Sequence, residues 1–255
     1  MTSISNPTIH TDYQLHPPPC VPNSTRFVCI SDTHSEKYNV PDGDVLIHAG
    51  DLTYYGEGLV QTLKWLRSLP HPVKIVVAGN HDSILDANHW SATLSGRNER
   101  ERILGKGREL NGPSGTFIYL QHETTTFSTE GGKLWKVYGS PSAPRYSDGA
   151  FQYSTKTEAE DIYSAIPDDI DILITHTPAY QALDKTRRGK HAGCPVLARR
   201  IEELDRCRLH VFGHIHESHG AEVRSRGEGR PDLVAVNAAM SSSSPRVPVV
   251  VDMLH

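Results

Sequence analysis

Residues 27–34 read Phe27-Val28-Cys29-Ile30-Ser31-Asp32-Thr33-His34, an apolar run that ends in two potential metal ligands. Short apolar runs rich in β-branched residues and bounded by Asp, Gly or Pro are typical of buried strands. Asp32 and His34 flank one position, so both side chains can point into a site from the loop that leaves the strand. The stretch could equally be a strand followed by an ordinary turn, because Ser-Asp and Asp-Thr favour turns. The rest of the chain decides between these two interpretations.

Four further apolar runs end in residues of the same chemical kind. They are Val45–Ile47 before Gly50-Asp51, Val73–Val77 before Gly79-Asn80-His81-Asp82, Ile172–Ile174 before Thr175-His176-Thr177-Pro178, and Leu209–Phe212 before Gly213-His214-Ile215-His216. Ligands in open α/β sheets gather outside the carboxyl ends of the strands. Five strand ends that all carry oxygen or imidazole ligands therefore predict one shared metal site.

Each segment taken alone also has an ordinary structural explanation. Asp51 could simply close a strand, and His176 could be a satisfied core histidine. The most informative segment is the last one, because His214 and His216 at alternate positions would share one face of an extended backbone. Gly213 would let that backbone approach its neighbours closely. The joint occurrence of all five segments favours the metal site over five separate accidents.

The length allows one large domain with a substantial core or two small ones, and the composition is ordinary for a globular protein. The 255 residues are 37% hydrophobic and 22% charged, with a formal net charge of -4. This charge provides no general attraction to nucleic acid, so we expect no extended DNA or RNA partner. No segment approaches the ~20 apolar residues of a membrane span, so we expect no membrane partner either.

The first 23 residues differ from the remainder. They contain Pro17-Pro18-Pro19 and scattered polar residues, without the basic start and apolar stretch of a signal peptide. We therefore predict an N-terminal arm over residues 1–23 and a single domain over residues 24–255. The four cysteines do not resemble a disulfide framework, which indicates a reducing, cytoplasmic compartment.

The order of strand-like and helix-like segments predicts an α/β fold. Amphipathic spacing and terminating prolines predict helices over Glu57–Leu69, Ser83–Trp90, Thr155–Ile166 and Cys194–Leu204. Shorter alternating segments between Thr116 and Tyr138 predict antiparallel strands added to an otherwise parallel sheet.

The candidate metal ligands combine carboxylates, one amide and four imidazoles, with no thiolate. They are Asp32, His34, Asp51, Asn80, His176, His214 and His216. Such mixed nitrogen and oxygen ligation suits two divalent ions such as Mn, Fe, Zn, Co or Ni, rather than an all-oxygen calcium site. Two cations ~4 Å apart need an anionic bridge, a role that Asp51 fits best. Water shared by the two ions becomes hydroxide near neutral pH and can attack phosphorus in line.

His81 and Asp82 are the candidate catalytic residues. His81 lies too close in sequence to Asn80 to be an obvious ligand, but it is placed to meet the phosphate or its leaving group. Asp82 could orient or charge the His81 imidazole. The structural alternative is that His81 and Asp82 begin a helix.

Taken in order, the five segments resemble the motifs of the calcineurin-like metallophosphoesterases: Asp-x-His, Gly-Asp, Gly-Asn-His-Asp/Glu, Thr-His and Gly-His-x-His. The surrounding sequence resembles the branch of metallophosphoesterase-domain-containing proteins related to an adult and fetal brain protein of mammals. The resemblance covers nearly all of the chain after the arm. It implies two facing mixed β-sheets flanked by helices, a four-layer sandwich.

Carried onto matching positions, the resemblance implies two ligand sets. One ion would be held by Asp32, His34, Asp51 and His216, and the other by Asp51, Asn80, His176 and His214. His81 would contact the phosphate and assist the leaving group, and Asn80 would also bind the substrate. Asp82 stands where Glu is commoner in the family. The chain departs from the family at Thr177-Pro178-Ala179, where relatives often carry Gly-Pro-Pro.

A second departure concerns substrate. Protein-phosphatase members follow Gly-Asp with an Asp-Arg-Gly that helps to hold a phosphomonoester, whereas here Leu52-Thr53-Tyr54-Tyr55-Gly56 follows and contains no arginine. This difference argues against a protein phosphatase. Arg145, after Gly139-Ser140-Pro141, is our candidate for a compensating substrate contact.

We therefore expect a metal-dependent phosphodiesterase that acts on a small nucleotide or related diester by attack of metal hydroxide on phosphorus. Manganese is among the expected metals. The alternatives are a phosphomonoesterase acting on a small metabolite and a non-catalytic nucleotide-binding scaffold. The sequence makes no prediction about oligomeric state.

Overall fold

The computed structural model describes residues 7–90, 98, 101–102, 116–130, 132–241 and 246–255. In chain order the strands are β1 (Thr8–His10), β2 (Ser24–Ile30), β3 (Val45–Ala49), β4 (Val73–Val77), β5 (Thr116–Tyr119), β6 (Glu123–Ser128), β7 (Leu134–Ser140), β8 (Ala143–Pro144), β9 (Gln152–Tyr153), β10 (Ile172–Thr175), β11 (Leu209–Phe212), β12 (Gly220–Arg224), β13 (Leu233–Asn237) and β14 (Val249–Leu254). The α-helices are α1 (Leu59–Ser68), α2 (Ala87–Trp90), α3 (Lys156–Ser164) and α4 (Pro195–Glu203).

Two six-stranded sheets form the frame of the molecule. The first has the order β1-β14-β2-β3-β4-β5 and the second β12-β13-β11-β10-β7-β6, while β8 and β9 form a small separate sheet. In the first sheet β2 to β5 run parallel, β14 pairs antiparallel with β2, and β1 pairs antiparallel with β14. In the second sheet β13, β11, β10 and β7 run parallel, between antiparallel β12 and β6. Both sheets are therefore mixed.

The segment from Thr116 to Tyr138 differs in part from the prediction. Strands β6 and β7 pair antiparallel, as predicted. Strand β5 instead runs parallel to β4, so the prediction was wrong for β5. The long connection over residues 78–115 makes this pairing feasible, because parallel neighbours need a crossover of a dozen or more residues.

The main core lies between the two sheets. Side chains alternate along β2, so that Phe27 and Cys29 face the second sheet while Val28 and Ile30 belong to a separate cluster on the outer face. In β10, Ile172 joins the same central core. Continuous apolar strands are expected where both faces of a parallel sheet are covered.

Helices cover the two outer faces. Trp65 and Leu66 of α1 pack on the first sheet, and Tyr163 of α3 and Leu197 of α4 pack on the second. The layers are therefore helix, sheet, sheet and helix, which confirms the predicted fold class.

Local signals explain where the helices begin. Thr155 caps α3 in a reciprocal capping box with Glu158, an arrangement that satisfies two of the free N–H groups at the start of the helix. The helix predicted over Ser83–Trp90 is wrong in its first half, because only α2 is helical. The carboxylate of Asp86 accepts from the N–H groups of Asn88 and His89 at 2.8 and 3.2 Å, so the helix begins after Asp86.

The N-terminal arm contacts the first sheet. Strand β1 pairs antiparallel with β14, and the Tyr13 hydroxyl donates to the carbonyl of Pro248 at 2.6 Å.

Within the described part of the chain, none of the helices combines the length and the apolar character that crossing a membrane would need.

Candidate metal centre

Asp32 lies two residues after β2 and is contacted by the loop that follows β11 in the other sheet. Its two carboxylate oxygens accept from the main-chain N–H of His214 at 3.1 and 3.0 Å, and Oδ1 lies 3.0 Å from Nε2 of His216. Asp32 is fully buried. These contacts satisfy a carboxylate whose burial without partners would be costly.

Asp51 lies two residues after β3, and its carboxylate is approached by three histidine side chains. Its Oδ1 lies 3.3 Å from Nε2 of His176, and its Oδ2 lies 3.9 Å from Nε2 of His34 and 4.0 Å from Nε2 of His81. The main-chain N–H of His81 donates to Oδ1 at 2.8 Å. The Asn80 Oδ1 lies 3.0 Å from Nε2 of His176. Asp51 thus touches members of both ligand sets that the family resemblance implies.

The donor atoms form two overlapping groups, each within 4.8 Å of one another. One group is Asp32, His34 and His216, and the other is Asp32, Asp51 and His176. Asn80 joins the second group through its contact with His176, and the His214 ring packs on the His176 ring with centroids 4.9 Å apart. The structure therefore brings all seven candidate ligands into one cluster. Asp32, rather than Asp51, is the residue common to both groups.

The backbone at this cluster adopts an uncommon conformation. Asp32, His34, Asp51 and His214 have φ angles of 53°, 46°, 53° and 67°. Non-glycine residues rarely occupy this left-handed region, and those that do are often found at functional sites. Hydrogen bonds hold the conformation, including those from the N–H of Asp32 to the Gly50 carbonyl at 2.8 Å and of His34 to the Asp51 carbonyl at 3.1 Å.

Two glycines allow the loops to approach the carboxylates. A Cβ added to Gly213 would lie 2.0 Å from Oδ2 of Asp32, and one added to Gly79 would lie 2.3 Å from Oδ1 of Asp51. Real Cβ contacts are essentially never shorter than 3.0 Å. The close approach predicted for Gly213 is therefore present in the fold.

Main-chain carbonyls orient two of the imidazoles. Nδ1 of His34 donates to the Thr53 carbonyl at 3.3 Å, and Nδ1 of His176 donates to the Ala49 carbonyl at 3.0 Å. Because a carbonyl oxygen can only accept, these contacts place a proton on Nδ1 and turn Nε2 toward the carboxylates. This is the orientation that metal-binding histidines commonly require.

The cluster keeps its carboxylates ionised. Burial would raise the pKa of Asp32, but the hydrogen bond from His216 and the nearby His176 lower it below the usual range. Burial would likewise raise the pKa of Asp51, and His176 lowers it. Burial would lower the pKa of His176, but Asp51 and Asp32 raise it to about 9. Ionised carboxylates beside imidazole and amide donors fit borderline divalent cations.

His81 lies at the edge of the cluster, against aromatic side chains. Its ring stacks on Tyr54 at an interplanar angle of 16° with centroids 5.4 Å apart, and Tyr55 lies 4.7 Å away. Burial, only partly offset by Asp51, lowers the pKa of His81. Its Nδ1 is buried and has no hydrogen-bond partner among the described residues.

Asp82 does not provide that partner. Its Oδ2 accepts from the N–H groups of Leu52 and Gly79 at 3.1 and 2.8 Å, and its Oδ1 from the N–H and hydroxyl of Thr53 at 2.9 and 2.8 Å. Burial, followed by the neighbouring Asp51, raises the pKa of Asp82 to about 7. The contacts place Asp82 as a brace between the loops after β3 and β4. The expected contact of Asp82 with the His81 imidazole is not among the described hydrogen bonds, because the loop N–H groups occupy its oxygens.

Tyr146 is a site residue that the sequence patterns did not single out. Its hydroxyl accepts from Nδ2 of Asn80 at 3.5 Å, and its ring lies 5.2 Å from that of His214. The adjacent Arg145 does not join the donor cluster but lines a cleft beside it together with Tyr146. Tyr146 belongs to no motif, so the only available signal was its position next to Arg145.

Comparisons with known proteins found a matching family model and a similar human protein. A family model described as calcineurin-like phosphoesterase matches residues 25–218. The human metallophosphoesterase domain-containing protein 1 is 33% identical over 249 residues, covering 93% of this chain and 74% of that protein.

Two further matches are a sequence relative and a solved structure. A probable rhamnogalacturonate lyase C of Emericella nidulans is 43% identical over 204 residues, which cover 79% of this chain but only 18% of that protein. The crystal structure of a phosphopantetheinyl hydrolase from Mycobacterium tuberculosis aligns with a TM-score of 0.50 at 14% identity, covering 86% of this chain and 90% of that one. At this identity the structural match shows the shared fold alone.

Proposed function

This chain belongs to the calcineurin-like phosphoesterase family, and from that membership we propose that it hydrolyses small phosphodiesters with two bound divalent metal ions. The observation that carries the proposal is the convergence of seven nitrogen and oxygen ligands around Asp32 and Asp51. Four of those ligands follow strands of the first sheet and three follow strands of the second. Three of the five loops carry a carboxylate or an amide. A scaffold without catalysis would have no need of this complete set.

The chemistry follows from what such ions supply. Two divalent ions held by these residues would activate water near neutral pH and neutralise charge on the phosphoryl oxygens. The contribution of the protein is to hold the ligands, with Asp32 and Asp51 ionised and His34 and His176 oriented by carbonyls. Manganese, iron, zinc, cobalt and nickel all suit this donor set.

We propose that His81 assists the leaving group. Its Nε2 lies 4.0 Å from Oδ2 of Asp51, so the imidazole borders the ligand cluster without being one of its central members. A positioned imidazole can donate a proton to a departing alkoxide, which typically contributes 10²–10⁴-fold in rate. Asp82 supports this arrangement indirectly, by bracing the loops that carry Asp51 and His81.

The preference for diesters rests on the loop that follows Asp51. It carries Tyr54 and Tyr55, which are 55% and 53% exposed beside His81. Aromatic faces at the edge of the site suit a substrate that carries an organic group on the phosphate. No arginine stands in this loop to pair with a terminal phosphate dianion.

Parallel assays test the proposal. Purified protein loaded in turn with Mn, Fe, Zn, Co or Ni is given bis(p-nitrophenyl) phosphate, p-nitrophenyl phosphate and a phosphoserine peptide. We expect the diester to be hydrolysed with the highest kcat/KM and the peptide with the lowest. Efficient turnover of the monoester alone would favour the small-metabolite phosphomonoesterase. Absence of all turnover at full metal loading would favour the nucleotide-binding scaffold.

We propose further that the natural partner is a small phosphate ester, such as a nucleotide, and that the protein works in the cytoplasm. The four cysteines are free thiols, and three of them are buried, a state that a reducing compartment maintains. Fractionation of the source cells with an antibody to this chain would test the compartment.

A further inference from the structure

A cleft of about 660 Å³ opens beside the metal centre. Tyr146 belongs to both places, because it lines the cleft while its ring packs on His214 and its hydroxyl contacts Asn80. The loop after Tyr146 is also tied to the metal centre, since the N–H of Ala150 donates to the Asn80 carbonyl at 2.9 Å. A molecule whose phosphate lies at the metal centre can therefore extend past Tyr146 into the cleft.

The charged side chains that line the cleft are all basic. Its lining includes Arg145, Lys156, Lys190 and Arg199, and no acidic residue among those that the structure describes. Lys156 and Arg199 both pair with Glu160, at 3.5 and 3.0 Å. By contrast, the described ion pairs include none for Arg145 or Lys190. Two cations are thus available to an anionic ligand.

Aromatic and apolar groups complete the lining. Tyr146 and Tyr180 are 64% and 39% exposed, so each offers a ring face within the same cleft. Cys194 and Val196 contribute apolar surface. Bases and other planar rings stack on exposed aromatic side chains in a way that tolerates different bases.

The lining also includes the start of α4 and the side chain of His191. The first turn of α4 lines the cleft, and the N-terminus of a helix carries partial positive charge. His191 also lines the cleft, with Nδ1 2.5 Å from Oδ1 of the buried Asp184, which holds the imidazole against Tyr180. With Nδ1–H donating to Asp184, the neutral ring of His191 leaves Nε2 as an acceptor, and Nε2 has no described hydrogen-bond partner.

From this combination we propose that the cleft is a substrate-binding subsite that takes the base and a second phosphate of a nucleotide. The base stacks on Tyr146 and Tyr180, and the second phosphate binds Arg145 and Lys190. This inference rests on the proposed function, because it assumes that the first phosphate lies at the metal centre. The proposed subsite narrows the substrate class to nucleotides that carry a second phosphoryl group besides the one hydrolysed at the metal centre.

Calorimetric titration of the metal-loaded protein tests the subsite without relying on turnover. The probes are adenosine diphosphate and inorganic phosphate, and the readout is the ratio of their affinities. We expect this ratio to fall about tenfold or more in the double variant Arg145→Ala/Lys190→Ala, because two charge-assisted contacts are lost. A fall of about tenfold is expected for Tyr146→Ala, from the lost stacking.

Lys64→Ala is the matched control, since it removes one exposed cation from α1 on the opposite layer, and its ratio should equal that of the wild type. Arg145→Gln and Lys190→Gln provide milder variants if the double variant does not fold. A wild-type ratio in every folded cleft variant would overturn the subsite. A protein that shows the expected ratios yet hydrolyses no bis(p-nitrophenyl) phosphate would overturn the proposed function and leave the subsite standing.

Discussion

The main-chain N–H of His214 donates to both carboxylate oxygens of Asp32, at 3.1 and 3.0 Å, and so joins two strand ends that belong to different sheets. Asp51 and His176 form a second such link, with Oδ1 and Nε2 3.3 Å apart. The candidate metal centre therefore lies at the seam between the sheets. Its geometry depends on how the two sheets pack, in addition to the local conformation of each loop.

Asp51→Asn should weaken binding of both ions, because Asp51 touches His34 on one side and His176 on the other. His34→Ala should chiefly weaken one site, and we expect roughly one of about two ions per chain to be lost. Elemental analysis of the purified proteins measures this difference. Asp169→Asn, in an exposed ion pair with Lys136, is the control. Two tightly retained ions in Asp51→Asn would contradict the bridging assignment.

Gly213→Ala should displace Asp32, because the new Cβ would lie 2.0 Å from its Oδ2 and 2.2 Å from Oγ of Ser31. We expect metal affinity to fall by 10-fold or more, of the order seen when a ligand loses its orientation. Gly189→Ala is the control, since its φ of 74° is strained by any side chain but open space surrounds it.

The control variant, Gly189→Ala, should lose roughly 1–2 kcal/mol of stability and keep its metals. Competition with a fluorescent chelator measures the affinities, and denaturant unfolding measures the stabilities. Wild-type metal affinity in Gly213→Ala would show that the loop can move without disturbing Asp32.

His81→Ala should slow a nucleotide diester much more than bis(p-nitrophenyl) phosphate. An alkoxide leaving group has a high pKa and needs a proton, whereas nitrophenolate leaves readily without one. The expected loss is about 10²–10⁴-fold for the nucleotide diester and smaller for the nitrophenyl diester. Steady-state kinetics on both substrates, with metal content checked, measures this.

Asp82→Asn is the companion variant. Since its carboxylate binds Leu52, Thr53 and Gly79 rather than the imidazole, it should slow both substrates by the same factor. If His81→Ala slowed the nucleotide diester and the nitrophenyl diester by the same factor, His81 would be a positioning residue. A selective loss in Asp82→Asn would instead revive a direct role for Asp82.

Asp252→Asn should destabilise the fold and change its response to acid. Asp252 is buried and accepts from Nε and Nη2 of Arg26, both at 2.7 Å. Breaking a buried pair typically costs about 3–5 kcal/mol. Burial would raise the pKa of Asp252, but the hydrogen bond and charge of Arg26 lower it.

The sign of the pH effect follows from this direction. The contribution of Asp252 is fully present above the unfolded-state pKa of about 3.9 and is lost as the pH falls toward the lower folded-state value. The wild type should therefore lose more unfolding free energy between pH 5 and 3 than Asp252→Asn does. Urea unfolding at each pH measures this, and a parallel decline in the two proteins would refute it.

Much of the candidate site was predictable because its signals are local. A strand that ends in Asp, Asn or His shows both the turn and the ligand within a few residues, as in Ile30 to His34. The continuous apolar runs of β2 and β3 likewise indicate strands that are covered on both faces. These features depend on the conformation of neighbouring residues, which short-range sterics and ligand chemistry determine.

Other features could be decided only by the tertiary structure. The sequence does not show that β5 pairs parallel with β4 or that Asp82 binds the loops after β3 and β4. Nor does it show that Tyr146 contacts the metal centre and also lines a cleft. Asp32 and His214 lie 182 positions apart, and they meet because two sheets pack face to face. Strand pairing and sheet packing depend on burial summed over the whole chain, and this sum has no local signature in the sequence.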